Sequence, residues 1–363
     1  MPQPSLVFLV PGDLATLTGG YVYDRHIVEG LRATGWGVEV VTLGEGFPHP
    51  SAALRREVAE RIAAIGDGRL VVVDGLAFGA LPDVAEQHAR RLRWVALVHH
   101  PLALETGLDE PTKAELFASE RRALAAASLV IVTSRSTGRA LADYDVAAER
   151  IRVVEPGVRR TPTLAAEPVQ SPAQGLSMLC VATMTARKGH LTLVEALAGL
   201  QDQAWTLHCV GSLTRDEATV RDLRAALGAH GLTERVHLHG ELDGDRLAAH
   251  YAQAQLFVLP SFHEGYGMVL AEALAQGLPI VSTTAGAIPD TVPQSAGLMI
   301  APGDVAALRA ALLRLLQEPQ LRATLAHGAR VAGERLPTWP QAVERFDEAL
   351  RSAALGALQR LLP

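Results

Sequence analysis

Residues 257–279 read FVLPSFHEGYGMVLAEALAQGLP and contain one complete strand, turn and helix. An apolar run ends at Pro260, a turn with Gly265 and Gly267 follows, and an apolar-rich helix opens near Gly267. Repeated units of this kind build parallel α/β sheets, in which the turn lies at the carboxyl end of the strand. The stretch therefore predicts an open α/β sheet with a ligand site at this turn.

Short apolar strands alternate with amphipathic helices through both halves of the chain, which predicts two doubly wound parallel sheets. The predicted strands are Leu6–Val10, Val38–Leu43, Leu70–Asp74, Trp94–His99, Leu129–Thr133 and Ile151–Val154, then Met178–Ala182, Thr206–Val210, Val236–His239, Leu256–Leu259, Ile280–Ser282 and Leu298–Ile300. Three prolines and no periodicity mark residues 161–175 as a linker. We expect one domain in residues 1–160, another in 176–335, and ligand binding in a cleft that both share.

The last segment, residues 336–363, carries apolar residues at helical spacing, including Val343, Phe346 and Leu350. This spacing predicts one helix with a buried stripe. The helix either crosses back to the first domain or caps the second. We expect the crossover.

The composition is that of an ordinary globular protein, with 48% hydrophobic and 20% charged residues. A net charge of −6 argues against nucleic acid as a partner, because such binding depends on a basic surface. No apolar run is long enough to cross a bilayer, and the N-terminus lacks a basic region before its apolar stretch. Cys180 and Cys209 lie inside strand-like runs and are interpreted as reduced packing residues. These features predict a cytoplasmic protein.

Two glutamates flank the turn and the helix of the opening stretch. Gly265 and Gly267 let backbone N–H groups approach a ligand, and the helix N-terminus favours phosphate or sugar oxygens. Glu264 should lie at the mouth of the site, and Glu272, further along the helix, should serve another part of the ligand. The alternative is that Glu264 caps the helix and Glu272 is solvated.

Adjacent cations at Arg187 and Lys188 follow the first strand of the second half, and Gly189 opens its helix. Two cations at the carboxyl end of a strand suit a diphosphate. In the first half, Gly19 and Gly20 follow the first strand, and His99–His100 ends the fourth. The pattern leaves open which histidine reaches the ligand site.

Two further patterns resemble metal sites. Asp243-Gly-Asp245 precedes a helical pattern and is interpreted as a helix start. His237 and His239 share one face of a strand, but we expect no third ligand nearby, so they are interpreted as polar residues at a strand edge. We therefore expect no metal site.

Taken together, these motifs resemble glycosyltransferase family 4, of the two-Rossmann-domain GT-B type. Glu264 and Glu272 match its Glu, seven residues, Glu signature, with the aromatic Tyr266 inside the Glu-Gly-aromatic-Gly turn. The resemblance implies that Glu264 contacts the transferring sugar, that Glu272 binds the donor ribose, and that Gly265, Tyr266 and Gly267 belong to the donor site.

The same resemblance implies roles for the other motifs. Lys188-Gly189 matches the family's Lys-Gly, but Thr183 stands where the family has an arginine, so Arg187 is the candidate replacement. Gly19 and Gly20 match a loop that approaches the donor phosphates. His99 aligns best with a strand-end histidine near the reacting sugar.

The predicted function is transfer of a hexose from a UDP- or GDP-sugar to a glycan, lipid or small molecule, with retention of configuration. His99, Arg187, Lys188 and Glu264 are the predicted catalytic residues. No cofactor and no metal are expected beyond the nucleotide-sugar co-substrate, and a lipid acceptor would add peripheral membrane contact. An epimerase or hydrolase acting on nucleotide sugars and a catalytically silent binding protein are the alternatives.

Overall fold

The computed structural model describes residues 3–159 and 175–359, with side chains up to residue 353. The chain divides into two compact units, residues 1–157 with 337–363 and residues 158–336, called here the first and second units. The predicted linker, residues 161–175, falls outside the described residues apart from Gly175.

Strands and helices alternate along both units. The strands are β1 (Ser5–Val10), β2 (Gly37–Thr42), β3 (Leu70–Asp74), β4 (Arg93–Val98), β5 (Leu129–Val132), β6 (Ile151–Val153), β7 (Leu176–Val181), β8 (Trp205–Val210), β9 (Val236–Leu238), β10 (Leu256–Leu259), β11 (Ile280–Thr283) and β12 (Gly297–Ile300). The helices are α1 (Gly19–Ala33), α2 (Ala52–Ala63), α3 (Gly75–Phe78), α4 (Pro82–His88), α5 (Glu110–Ala126), α6 (Arg135–Ala140), α7 (His190–Ala198), α8 (Glu217–Ala229), α9 (Gly244–Gln253), α10 (Met268–Ala275), α11 (Ile288–Thr291), α12 (Val305–Gln317), α13 (Pro319–Gly333) and α14 (Trp339–Gln359).

Each unit contains one parallel sheet, with six strands in the part of the chain that is described. The order is β2-β1-β3-β4-β5-β6 in the first unit and β12-β11-β10-β7-β8-β9 in the second. Both orders reverse direction once, beside β1 in one sheet and beside β7 in the other, which is the doubly wound, Rossmann-like arrangement. The predicted fold class is confirmed.

The strands are apolar because helices cover both faces of each sheet. All five residues of β3, which reads LVVVD, are buried, and so are the four of β10. Branched Val and Ile side chains suit such strands because they pack well on a pleated surface. The predicted strands match the observed ones to within two residues at each end.

The last helix, α14, belongs to the first unit and packs against α1. A Cβ on Gly30 would lie 2.3 Å from Val343 Cγ2, so only glycine lets the two helices approach this closely. Trp36 Nε1 donates a hydrogen bond of 2.8 Å to Asp347 Oδ1. Phe346 and Leu350 are fully buried in this contact region. No helix among the described residues combines the length and apolarity needed to span a bilayer.

Candidate functional site

The second sheet reverses direction between β7 and β10, and a ligand crevice forms at such a point beyond the carboxyl ends of the strands. The loop after β7 carries Arg187 and Lys188 on a short 3-10 turn. The loop after β10 carries Ser261 and Glu264. The strand order thus brings the two predicted motifs of the second unit together.

Backbone contacts fix these two loops to each other. Phe262 N donates a hydrogen bond of 2.8 Å to Arg187 O. Gly189 has φ +73°, and a Cβ there would lie 2.2 Å from Pro260 O. A side chain at position 189 would therefore be strained and would force the loops apart. Glycine at this position lets Lys188 approach Glu264.

The Glu264 carboxylate lies between two cations and a hydroxyl. Lys188 Nζ is 2.6 Å from Glu264 Oε1, and Ser261 Oγ donates to the same oxygen at 2.7 Å. Arg187 Nη1 donates to His263 O at 2.6 Å and lies 3.8 Å from Glu264 Oε2. The three charged side chains are largely buried, with 8% of Glu264, 15% of Lys188 and 21% of Arg187 exposed.

These contacts decide the charge state of Glu264. Burial by itself would raise the pKa of its carboxyl, but the charges of Lys188 and Arg187 outweigh burial, and the net effect lowers the pKa. Glu264 is therefore an ionised hydrogen-bond acceptor at neutral pH. The cluster thus places two cationic groups beside one ionised carboxylate.

Glu272, on α10, is half-buried. Tyr251, from α9, donates a hydrogen bond of 2.8 Å to Glu272 Oε2. Burial raises the pKa of Glu272, and the Tyr251 hydrogen bond acts in the opposite direction. The contact orients one carboxylate oxygen and joins the two helices.

The turn between Glu264 and α10 places the remaining predicted donor residues. Gly265 is half-buried, and Gly267 has φ +83° as the N-cap of α10. Tyr266 is 8% exposed and packs in an apolar cluster with Val158 and Ala271. The Tyr266 ring therefore anchors the turn.

The first sheet reverses direction between β1 and β3, and the loops after these strands and after β4 carry polar residues. Gly19 and Gly20 are the first two residues of α1. A Cβ on Gly20 would lie 3.3 Å from His99 Cδ2, so Gly20 packs directly against the His99 ring. The structure thus brings together the glycine pair and the strand-end histidine.

His99 is held by two acidic side chains that the sequence did not single out. Its Nε2 lies 3.1 Å from Asp24 Oδ1 and 3.5 Å from Asp74 Oδ2. Asp24 is fully buried on α1, and Asp74 ends β3. His100 instead pairs with Glu105, at 3.3 Å between Nε2 and Oε2.

The two acids determine the protonation of His99. Burial would lower the pKa of its imidazole, but the charges and hydrogen bonds of Asp24 and Asp74 outweigh burial and raise the pKa to about 10. His99 is therefore an imidazolium at neutral pH, so it offers hydrogen-bond donors but no basic nitrogen.

The structure shows the surroundings of both patterns that resembled metal sites, and both lie in the second unit. Asp243 Oδ1 accepts a hydrogen bond of 2.9 Å from Arg246 N and caps α9, as expected of a helix start. The expectation that no further ligand accompanies His237 and His239 is wrong. His208 of β8 and His250 of α9 lie beside them, because β8 pairs with β9 and α9 packs nearby.

Sequence reasoning missed Asp24, Asp74 and Tyr251. One signal was available for Asp24, which lies four residues after Gly20 and therefore on the same face of α1. Asp74 follows an apolar strand, as ligand-binding residues of α/β sheets commonly do. Nothing in the sequence indicated the contact between Tyr251 and Glu272.

Comparisons with known proteins cover both units. The family model described as Glycosyltransferase Family 4 matches residues 72–161, and the model described as Glycosyl transferases group 1 matches residues 175–318. A D-inositol 3-phosphate glycosyltransferase of Frankia alni is 30% identical over 290 residues, which cover 73% of this chain and 71% of that protein.

Solved structures share the fold over nearly all of the chain. Sucrose-phosphate synthase from Thermosynechococcus elongatus has a TM-score of 0.81 at 23% identity, covering 98% of this chain and 100% of that one. Anabaena Alr3699/HepE in complex with UDP-glucose has a TM-score of 0.75 at 20% identity, covering 96% and 99%. The sequence relationship and the shared GT-B fold show that the chain belongs to glycosyltransferase family 4.

Proposed function

We propose that this glycosyltransferase moves a hexosyl group from a nucleotide-diphosphate sugar, UDP- or GDP-linked, to a hydroxyl group of its acceptor, with retention of anomeric configuration and without a divalent metal ion. The observation that carries the proposal is the cluster of Lys188, Arg187 and Glu264 where the second sheet reverses direction. A neighbour in fold that is solved with UDP-glucose supports the choice of donor class.

The two cationic side chains of this cluster suit a diphosphate leaving group. Bond cleavage between the sugar C1 and the phosphate oxygen leaves negative charge on the diphosphate and oxocarbenium character on the sugar. Lys188 and Arg187 would stabilise the diphosphate through charge-assisted hydrogen bonds. Their cationic groups are fixed before the donor arrives, so little reorganisation is needed.

Glu264 would act on the sugar as a carboxylate. Its lowered pKa keeps it ionised, so it would accept hydrogen bonds from sugar hydroxyls and stabilise positive charge near C1. An ionised carboxylate cannot act as a general acid. We propose that the acceptor oxygen forms its bond to C1 on the side from which the diphosphate leaves, and that the acceptor proton passes to the departing phosphate oxygen.

The nucleoside end of the donor would bind at Glu272. The hydrogen bond from Tyr251 leaves the other carboxylate oxygen of Glu272 to accept from the ribose hydroxyls. Such a contact is present before and during the reaction, so it contributes to donor affinity more than to turnover.

His99 would supply a charged hydrogen-bond donor toward a sugar hydroxyl, and Gly19 and Gly20 would let backbone approach the donor phosphates. As an imidazolium held by Asp24 and Asp74, His99 is not the base that activates the acceptor. This assignment agrees with a departing phosphate that takes the acceptor proton.

The proposal is tested with the full-length chain and a panel of UDP- and GDP-sugars. Thermal shift identifies the donor, because ligand binding raises the unfolding temperature. Product analysis by NMR with glycan, lipid and small-molecule acceptors then gives the anomeric configuration. Inverted product would contradict retention. Free or epimerised sugar with every acceptor would favour a hydrolase or epimerase, and binding without any turnover would favour a silent binding protein.

A further inference from the structure

Four histidines form a cluster at the edge of the second sheet, separate from the residues assigned to transfer. His208 on β8 is the register partner of His237 on β9. His239 follows β9, and His250 lies on α9. Two adjacent strands and one helix therefore contribute imidazoles to a single place.

The distances within this cluster are those of converging ligands. His208 Nδ1 lies 3.0 Å from His239 Nε2. The ring centroids of His239 and His250 are 4.5 Å apart, and one nitrogen each from His208, His239 and His250 lie within 4.8 Å of one another. Three nitrogens bound to one tetrahedral Zn²⁺ at about 2.0–2.1 Å would be about 3.3 Å apart, so small side-chain rotations suffice.

A cavity of about 430 Å³ provides access to the cluster from solvent. His239 and His250 line it, together with Arg246 and Gln253. Arg246 would oppose a cation, but 75% of its side chain is exposed and its Nε lies 4.0 Å from Asp243 Oδ2, so its charge is screened. The cavity leaves room for a water or an anion as a further ligand.

The chemical state of the imidazoles suits metal binding. Burial and the neighbouring histidines lower the pKa of His208 to about 4, and partial desolvation lowers the pKa of His250 and, together with the neighbouring histidines, that of the more exposed His239. Neutral imidazole is the form that binds a metal, and imidazole ligands favour late first-row ions.

We propose that His208, His239 and His250 form a binding site for a late first-row divalent cation, with Zn²⁺ as the reference ion. The ion would join the edge strands β8 and β9 to α9. Its role is structural, because the residues proposed for transfer lie on other loops.

The test uses the full-length chain, stripped with a chelator and titrated with Zn²⁺ by calorimetry and with Co²⁺ by visible absorption. We expect one equivalent to bind, a Co²⁺ spectrum of imidazole ligation, and a higher unfolding temperature with Zn²⁺. His239→Ala and His250→Ala should each weaken Zn²⁺ binding by about 10-fold to 100-fold or more, in line with the loss of metal-site partners. His230→Ala, at an exposed histidine of the same unit, is the matched control and should bind normally.

His239 is exposed, so its replacement by alanine should leave the fold intact, which circular dichroism checks. The proposal fails if the wild-type chain binds no Zn²⁺ at micromolar concentration, or if His239→Ala and His250→Ala bind it as the wild type does. It also fails if Asp74→Asn abolishes binding, because the ion would then occupy the other converging group, Asp24, Asp74 and His99.

Discussion

The two units of this glycosyltransferase carry charged clusters of opposite composition at corresponding places in their sheets. In the second unit, the Glu264 carboxylate is held by Lys188 and Arg187. In the first unit, the His99 cation is held by Asp24 and Asp74. One cluster therefore places two cations around a carboxylate, and the other places two acidic side chains around an imidazolium, with burial raising the pKa of Asp24 to about 7.

This difference assigns different chemistry to the two clusters. The two cations of the second unit suit a diphosphate, and their interaction with it would strengthen as negative charge develops on it. The imidazolium of the first unit suits a hydroxyl group, to which it would donate a hydrogen bond. Replacing an acid beside His99 should therefore change the pKa of that histidine. Replacing Lys188 should change the free energy of unfolding and the turnover.

The largest expected effect is on stability. Lys188→Met leaves the Glu264 carboxylate buried without its closest cation, and breaking a buried pair of this kind costs about 3–5 kcal/mol. The double variant Lys188→Met with Glu264→Gln removes both charges and should regain most of that loss. Urea unfolding of the wild type, both single variants and the double variant measures the coupling. Additive losses in the double variant would contradict a direct ion pair.

The next largest effect is on turnover. The chain contains two lysines, Lys113 and Lys188. Lys188→Ala should lower turnover about 10²-fold to 10³-fold, as the loss of one preorganised charge-stabilising group does, and should weaken donor binding less. Turnover and the donor dissociation constant are measured well below the unfolding temperature of the variant, so that the stability loss does not contribute.

The matched control is Lys113→Ala, because Lys113 of the first unit has 39% of its side chain exposed and pairs with Glu110. Arg187→Ala should act in the same direction as Lys188→Ala. Near-native turnover of Lys188→Ala at saturating donor would show that the ion pair only stabilises the loops, and the diphosphate site would have to be sought elsewhere.

A smaller effect is expected at Glu272. Glu272→Ala should weaken nucleotide binding about 10-fold to 100-fold, which corresponds to the free energy that hydrogen bonds to a charged group contribute. Turnover at saturating donor should change little. Tyr251→Phe removes only the hydroxyl that orients the carboxylate and should weaken binding less. Glu234→Ala, at an exposed loop residue, is the control. Unchanged affinity in Glu272→Ala would reduce this carboxylate to a contact between helices.

In the first unit, we expect the pKa of His99 to change when its acidic partner Asp24 is replaced. The pKa of His99 is raised above its unfolded value of about 6.5, so the stabilisation that protonation of His99 contributes is complete below that value and is lost as the pH rises through the folded pKa. Burial raises the pKa of its partner Asp24 to about 7, so the pair is fully charged only above that value. Asp24→Asn should lower the pKa of His99 and move this loss to lower pH. NMR titration of the imidazole measures the shift, with Asp143→Asn as an exposed control. An unchanged pKa of His99 in Asp24→Asn would mean that Asp24 does not stabilise the protonated imidazole.

The sequence predicted the fold well, because apolar runs between turn residues mark buried strands regardless of how the strands are arranged. Its motifs also singled out Lys188 and Glu264, which the structure brings into contact, and their roles in transfer stay predictions. The partners of His99 were not predictable in this way. Asp24 and Asp74 meet His99 only because β1, β3 and β4 are neighbours, and alternating strands and helices are compatible with many strand orders. The histidine cluster depends likewise on the register of β8 and β9.

The last prediction is that removing divalent ions leaves turnover unchanged. Glycosyl transfer by this chain should keep full turnover after chelation, because Lys188, Arg187 and backbone N–H groups would stabilise the diphosphate in place of a metal ion. The same treatment should lower the unfolding temperature if His208, His239 and His250 bind an ion that ties β8 and β9 to α9. Measuring turnover and unfolding on one chelated sample separates the two properties. Turnover that returns only with Mg²⁺ or Mn²⁺ would contradict metal-independent transfer. An unfolding temperature that rises with Zn²⁺ while turnover stays constant would support binding of the ion at the edge of the sheet, with the cationic side chains stabilising the diphosphate.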